Sequence, residues 1–316
     1  MNFLVTGGAG FIGSHLVERL LEYNHDITVI DDLSSGFISN LPKNGRIKFI
    51  QKPVQDVAVE EFAANVSIIF HLATQVSVPI SIDQFFDSSS RNLLSTLKIF
   101  ELARTLNVPV VYASSSAVYG NLPLGDDDSD RYDILSPYAQ DKLTMEDYAR
   151  LCHKLYRTPS IGLRFFNVYG PKQDPTNPYS GVISIFIDRM LNKIPVTVNG
   201  GYQTRDFIYV ADIVDILVRS MSLLLNQNLC QVINVGTGNS VTIDDLLRAL
   251  KKIIQLEPEI IRKKLPFGDP ERSSGTFEKL ESLLGVVKKN FTPIPDGLAK
   301  TVTYIQLTQN HSSQGR

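Results

Sequence analysis

Tryptophan is absent from this 316-residue chain, and cysteine occurs twice, at Cys152 and Cys230. Neither thiol has metal-ligand spacing or the surroundings of a nucleophile, so both read as small core residues. Charge of one sign is lacking too. With 31 basic and 33 acidic side chains the formal charge is −2, which gives no broad attraction for nucleic acid or an anionic membrane. No apolar run approaches the length of a bilayer span, and a strand reading from Asn2 leaves no room for a leader, so the expectation is a cytoplasmic protein. Repeats and low-complexity blocks are missing. Hydrophobic residues, at 43 %, are enough for a large core in one or two domains.

Present instead is an alternation. "NFLVT", "DITVI", "IKFI", "SIIFHLA", "VPVVYASS" and "PSIGLRFFNVYG" read as strands, with helices starting at Phe11, about Asn92 and Ser136 between them. Strands alternating with helices predict an α/β protein with a doubly wound parallel sheet. After Pro171 the texture turns Pro-, Gly- and Asn-rich, and the chain leaves this sheet. The expected division is a first domain of residues 1–172 with about 203–237, and a smaller α/β domain of 173–202 and 238–306. A capped helix is expected from Ser240 and another around "PDGLAKTVTYI"; the polar tail 307–316 is expected to be disordered.

"FLVTGGAGFIGSHLV" sets Gly8-x-Gly10-x-x-Gly13 between a strand and a helix. Glycines there permit a tight turn and let backbone approach a pyrophosphate resting on the helix N-terminus. Asp31 ends the next strand, where a carboxylate bonds an adenosine ribose and repels a 2′-phosphate, so NAD is favoured over NADP. Asp56 and Val57 follow the third strand, where a base pocket can form.

"SPYAQDKLTMEDY" places Tyr138 and Lys142 one helical turn apart on one face, with Ser136 as N-cap and Pro137 as first helical residue. By itself the pair is compatible with a tyrosine resting on a lysine stem.

In order and spacing, "TGGAGFIGSHLV", "DDLSSG", "HLATQVSV", "ASSSAVYG", "SPYAQDK", "LRFFNVYGPKQDP" and "TRDFIYVADIV" resemble the extended short-chain dehydrogenase/reductase family. Within it the chain is similar to NAD-dependent nucleotide-sugar epimerases acting on UDP-hexoses and UDP-N-acetylhexosamines. The resemblance implies a Rossmann-type sheet and a smaller substrate domain. It implies that Gly7, Gly10, Phe11, Ile12 and Gly13 surround the NAD pyrophosphate, with Asp31, Asp32, Leu33, Ser35 and Gly36 at the adenosine. Asp56, Val57, Leu72, Ala73, Thr74, Gln75, Asn92 and Phe165 complete the implied cofactor site.

It further implies that Tyr138 takes the proton from a sugar hydroxyl while Lys142 holds the nicotinamide ribose. A free phenol ionises near 10, so lowering its pKa by about three units takes roughly 4 kcal/mol from nearby positive charge. The implied hydroxyl donor falls on Ser115, with Ser116 as its rival. Related dehydratases carry an Asp-Glu pair after this position, and decarboxylases a Glu. Here Ser116 and Ala117 stand there, a site suited to oxidation and reduction without elimination.

On the substrate side the resemblance implies roles for Ser77, Ser115, Ser116, Tyr138, Val182 and Asn167, and for Arg205 as a phosphate clamp. Asp206 competes for Arg205 as a salt-bridge partner. Relatives carry Arg-x-Gly-Asp where this chain has Pro266; Lys263, Lys264 or Arg272 can substitute. Ser273 falls at the gatekeeper of the sugar pocket, and a small residue there leaves room for an N-acetyl group. No metal is expected: "DDDSD" reads as a solvated loop, and His71 as a structural histidine.

The resemblance also implies a homodimer through the Asn92 and Tyr138 helices, whose Leu93, Leu97, Phe100 and Leu143 can serve this contact or simply pack on the sheet. Three functions remain open from sequence. They are a UDP-hexose or UDP-N-acetylhexosamine 4-epimerase, another nucleotide-sugar epimerase or dehydratase, and a non-catalytic NAD-binding regulator.

Overall fold

The computed structural model describes residues 1–58, 61, 65–177, 180–266 and 269–314, with 311–314 as helix backbone only. Its strands are β1 (Asn2–Thr6), β2 (Asp26–Ile30), β3 (Ile47–Ile50), β4 (Val66–His71), β5 (Val110–Ser115), β6 (Ser160–Phe165), β7 (Asn167–Tyr169), β8 (Val196–Asn199), β9 (Thr204–Tyr209), β10 (Cys230–Val235), β11 (Ser240–Thr242) and β12 (Ile260–Lys263). The helices are α1 (Phe11–Glu22), α2 (Val78–Asp83), α3 (Phe85–Leu106), α4 (Pro137–Tyr156), α5 (Val182–Leu191), α6 (Val210–Asn226), α7 (Ile243–Ile254), α8 (Glu278–Leu284) and α9 (Ile294–Gln314).

β1 sends Phe3 and Val5 to one face and Leu4 to the other, all fully buried. A strand apolar on both faces belongs in the middle of a covered parallel sheet. The seven-stranded sheet runs β3-β2-β1-β4-β5-β6-β10, and every pairing in it is parallel. This is the doubly wound Rossmann-type fold expected from the sequence. On one face Leu16, Leu20, Leu217 and Leu280 pack from α1, α6 and α8; on the other Ile99, Ala103, Met145 and Ala149 pack from α3 and α4. Strand order reverses between β1 and β4, so a crevice opens beyond their C-terminal ends.

A third apolar cluster gathers Phe186, Val198, Leu246 and Leu298 from α5, β8, α7 and α9. Beside it lie a three-stranded sheet, β11-β9-β7, and the parallel pair β12-β8. β9 belongs to this small sheet although the sequence places residues 203–237 with the first domain; only α6 and β10 return to the large sheet. Its Phe207 and Tyr209 face the third cluster and Ile208 the first, so β9 runs along the seam between them.

Three further expectations are corrected, and the open alternative for Phe100 is settled. α3 starts at Phe85, seven residues before Asn92, because its first turns bury the hydroxyl residues Ser88 and Ser89 and leave Phe85 and Phe86 exposed, an inverted pattern. Phe100 faces the core edge-to-face with Tyr112, not outward. Ser240 lies in β11, and the cap of α7 is Thr242, whose hydroxyl accepts the Asp245 N–H at 3.0 Å. The tail is helical through Gln314, held by a bond from the Gln309 amide to Asp188 on α5 at 2.9 Å.

Candidate active site

The crevice floor is the turn from β1 to α1. Gly7 has φ +69°, and a Cβ there would lie 2.7 Å from the Ala73 backbone nitrogen. Gly13 tolerates no side chain either, since its Cβ would meet the Gly7 carbonyl oxygen at 2.1 Å. The tight turn is therefore made by Gly7, Gly10 and Gly13, while Gly8 packs on Val29. Gly10 precedes α1 with no side-chain cap and no acidic residue in the first turn, so the leading N–H groups near Phe11 and Ile12 are left for an anion.

Asp31 follows β2. Its carboxylate accepts the Ala9 N–H and the Leu33 N–H, each at 2.9 Å, with one oxygen to each donor. Burial pushes this carboxyl above its usual range, against backbone bonds from Leu33, Ala9 and Gly10. The segment from Asp32 through Ser35 turns over the groove, and Gly36 lies so close to Ala9 that a Cβ would approach its backbone to 2.8 Å. Asp56 is exposed after β3, and Val57 is buried beside it.

After β4, Leu72, Ala73, Thr74 and Gln75 form the opposite wall. Ala73 N–H donates to the Thr6 hydroxyl, which also bonds His71 Nδ1 at 2.8 Å. His71 is buried and held neutral, with burial lowering its pKa to about 3. Asn92 stands behind this wall rather than on it: it is 2 % exposed, and its side-chain oxygen accepts from the Thr74 hydroxyl and the Gln75 N–H at 2.9 and 2.8 Å. Phe165 ends β6 within the core that floors the sheet.

Ser136 caps α4 through the Ala139 N–H at 3.2 Å, with Pro137 next, as the sequence implied. Tyr138 and Lys142 project together, the Lys142 Nζ 5.7 Å from the centre of the Tyr138 ring. Ser115 brings its hydroxyl to the Tyr138 phenol from the end of β5 and also accepts the Ala117 N–H at 3.1 Å. Ser116 opens the next turn, half-buried. All three expected residues thus meet at one point.

Their electrostatics differ from expectation. Burial pushes the Tyr138 phenol above its usual value, with Ser115 opposing and Asp141 adding to the rise. Burial likewise pushes the Lys142 ammonium down to about 7, against Asp141 and Glu146. Desolvation dominates at both groups, so the chain by itself does not make the phenol acidic.

A polar cluster under the site was not anticipated. Arg164 forms a two-pronged pair with Glu146, Nε to Oε1 at 2.9 Å and Nη2 to Oε2 at 2.6 Å, and both are fully buried. The Ser114 hydroxyl donates to Glu146, and Arg164 also donates to the Tyr119 oxygen, whose hydroxyl reaches Asn234. Glu146 lies one turn beyond Lys142, so a Tyr138–Lys142–Glu146 face was the available signal.

A sequence profile of the NAD dependent epimerase/dehydratase family matches residues 3–236. The chain belongs to that family. It is 34 % identical to a UDP-glucose 4-epimerase of Mycolicibacterium smegmatis over 317 residues, covering 97 % of this chain and 99 % of the relative. Among solved structures it resembles a UDP-N-acetylglucosamine 4-epimerase from Methanobrevibacter ruminantium M1 in complex with UDP-N-acetylmuramic acid. That match has a TM-score of 0.88 and 33 % identity over 97 % of this chain and 98 % of the other. A NAD-dependent NDP-hexosamine 5,6-dehydratase of tunicamycin biosynthesis is also similar, with TM-score 0.86 and 31 % identity over 97 % and 98 % of the two chains.

The cofactor of the family is NAD, and the groove fits it. A backbone cradle closed to side chains faces an uncapped helix N-terminus, and Asp31 keeps acceptor capacity beyond its backbone bonds.

On the substrate side, Arg205 is buried and its guanidinium donates to Asp269 and to the Thr204 carbonyl. Asp206 is not its partner: that carboxylate takes the Thr237 N–H and hydroxyl and the Gly238 N–H. Glu271 and Ser273 run beside β9 and β11, the Glu271 carbonyl accepting from Thr204 N–H and the Ser273 carbonyl from the Ser240 hydroxyl. Ser274 and Thr276 then pair with Gly125 in the loop after β5. Arg272, Lys263 and Lys264 are exposed. Ser77 caps α2, Val182 opens α5, and Asn167 opens β7, half-buried. The "DDDSD" loop is not merely solvated. Asp127 accepts the Asn234 N–H at 2.7 Å and the Thr276 hydroxyl at 2.9 Å, and Lys279 pairs with Asp128 at 2.7 Å.

Proposed function

We propose that this protein inverts C4 of a UDP-hexose or UDP-N-acetylhexosamine through a transient 4-keto sugar. The observation that carries the reading is the Ser115, Tyr138 and Lys142 meeting point with Ser116 and Ala117, not acids, directly after it. Bound NAD supplies reversible oxidation at one sugar carbon and, when oxidised, a positive charge beside the phenol. Tyr138 takes the sugar hydroxyl proton and later returns it, Ser115 holds the reacting oxygen, and Lys142 fixes the ribose while adding positive charge. Epimerisation needs nothing beyond this once the keto sugar turns over within the pocket.

Water elimination would need an acid at the reacting carbons. The buried carboxylates closest along α4 are already engaged, Asp141 with Asn92 and Glu146 with Arg164. Residues 173–202 and 238–306, together with β9, are assigned to the nucleotide sugar, with Asn167, Val182, Arg205 and Ser273 as contacts. Arg205 keeps N–H donors for a diphosphate beyond those given to Asp269 and the Thr204 carbonyl, and the exposed Arg272 follows Glu271, whose carbonyl bonds Thr204 beside it.

Incubation with UDP-glucose, UDP-galactose and their N-acetyl forms, followed by separation of products, tests the reading. C4 epimers support it; a 4-keto-6-deoxy product or no turnover contradicts it.

The same reading includes a homodimer. Phe86, Leu94 and Leu97 on α3 and Leu151 and Leu155 on α4 lie exposed on two neighbouring helices, which two copies would cover as a four-helix bundle. Leu97→Glu with Leu155→Glu should leave a monomer in analytical ultracentrifugation, and an unchanged dimer would refute that interface.

A further inference from the structure

Lys142 has a buried carboxylate on either side of it along α4, and the two are differently matched. Glu146 is neutralised by Arg164 through two bonds and takes the Ser114 hydroxyl as well. Asp141, 4 % exposed, has no ion pair among the described residues; its Oδ2 accepts the Asn92 amide at 3.0 Å. The same Asn92 side chain holds Thr74 and Gln75 in the wall after β4. An amide at position 141 would satisfy Asn92 equally well. A carboxylate there instead carries the desolvation cost of a buried anion, which a purely structural contact would avoid.

We infer that Asp141 is a positioning residue that balances the charge of Lys142, holds Tyr138 in its protonated form until further positive charge arrives, and ties both to the cofactor wall through Asn92. With Asp141 ionised and Lys142 protonated the trio is neutral: one anion, one cation and one phenol. Ionising Tyr138 leaves a net negative charge beside Asp141, so the phenolate is favoured only once another cation lies alongside. The other groups facing the trio do not supply that balance. β4 presents His71, which is uncharged at neutral pH; β5 presents Ser114, Ser115 and the neutral Tyr112. β6 presents Arg164, matched by Glu146, while α2 and α3 present Ser81, Ser89 and Asn92, with Asp83 and Asp87 exposed to solvent.

The inference rests on the assignment of Tyr138 as the proton acceptor, and a titration without substrate tests it separately. In the full chain the near-ultraviolet tyrosinate absorbance is followed against pH, with the corresponding Tyr138→Phe protein subtracted to isolate Tyr138. Asp141→Asn should lower the Tyr138 midpoint by about one pH unit, the size of losing one nearby buried charge. Both limbs of the pH profile for turnover should move acidward together, because Lys142 loses its protonation support over the same change. Asp141→Glu should restore the wild-type midpoint. A midpoint that stays or rises in Asp141→Asn, or a profile that only drops in height, overturns the inference. If Asp141→Asn does not fold, Asp141→Ser removes the same charge; a lowered midpoint there supports the inference, and an unmoved or raised one overturns it. Failure of wild-type protein to epimerise any UDP-sugar would sink the functional reading, yet the titration would still decide the role of Asp141.

Discussion

The Nζ of Lys142 donates to the Ala113 carbonyl at 2.7 Å, which ties the ammonium to the strand that ends in Ser115. Tyr138, the proposed base, and Ser115 are therefore held by two elements tied to one another. Lys142→Met keeps the apolar stem and removes the charge; turnover should fall about a hundredfold or more, the scale of a lost acid–base contribution. Tyr138→Phe should lose at least as much while purified protein keeps its NAD. Steady-state kinetics beside a count of bound nucleotide separates the two effects, and an active Tyr138→Phe protein would remove Tyr138 from its role.

Asp31 presents acceptor capacity beyond its backbone bonds from Leu33, Ala9 and Gly10. Asp31→Ala should weaken NAD binding by about tenfold to a hundredfold, the worth of hydrogen bonds to one charged acceptor. Affinity for NADP should fall much less or improve, since the repulsion of a 2′-phosphate disappears. Calorimetric titration with both dinucleotides reads the difference.

His71 titrates at about 3 when folded, against 6.5 for a free imidazole. As pH drops below 6.5 the unfolded chain takes up a proton that the folded chain refuses until about 3, so stability is lost across that window and levels off beneath it. The contribution is on the order of 5 kcal/mol. His71→Asn should show a visibly shallower loss of urea midpoint over the same range than the wild type.

Arg164 is matched by Glu146 and by hydroxyls, and Glu146 also has the half-exposed Arg150 guanidinium 3.9 Å away. Glu146→Gln strands the buried Arg164 charge and should cost roughly 3–5 kcal/mol in denaturant unfolding, and Arg164→Met should cost less because Arg150 still faces Glu146. The double variant Glu146→Leu, Arg164→Met should cost far less than the sum. Additive losses would mean that the pair is not coupled.

Local signals made much of this readable in sequence. Ser136 and Pro137 mark the start of α4 because capping depends on neighbours in the chain, and the glycines after β1 mark a turn that only they can make. What stayed hidden depends on tertiary contacts. Asp269 lies 64 residues from Arg205, Asn92 lies 49 from Asp141, and no spacing rule links either pair. Ser88 and Ser89 disguise the first turns of α3, since small polar residues at a tight helix contact look like surface. The rise in the Tyr138 phenol follows from burial, which residue identity alone does not state.

The most direct measurement uses UDP-glucose carrying deuterium at C4. Nuclear magnetic resonance of the product should show UDP-galactose with the deuterium still on C4, because the atom removed there is the atom returned. Deuterium washed into solvent, a deoxy keto sugar, or no inversion at C4 would contradict the account.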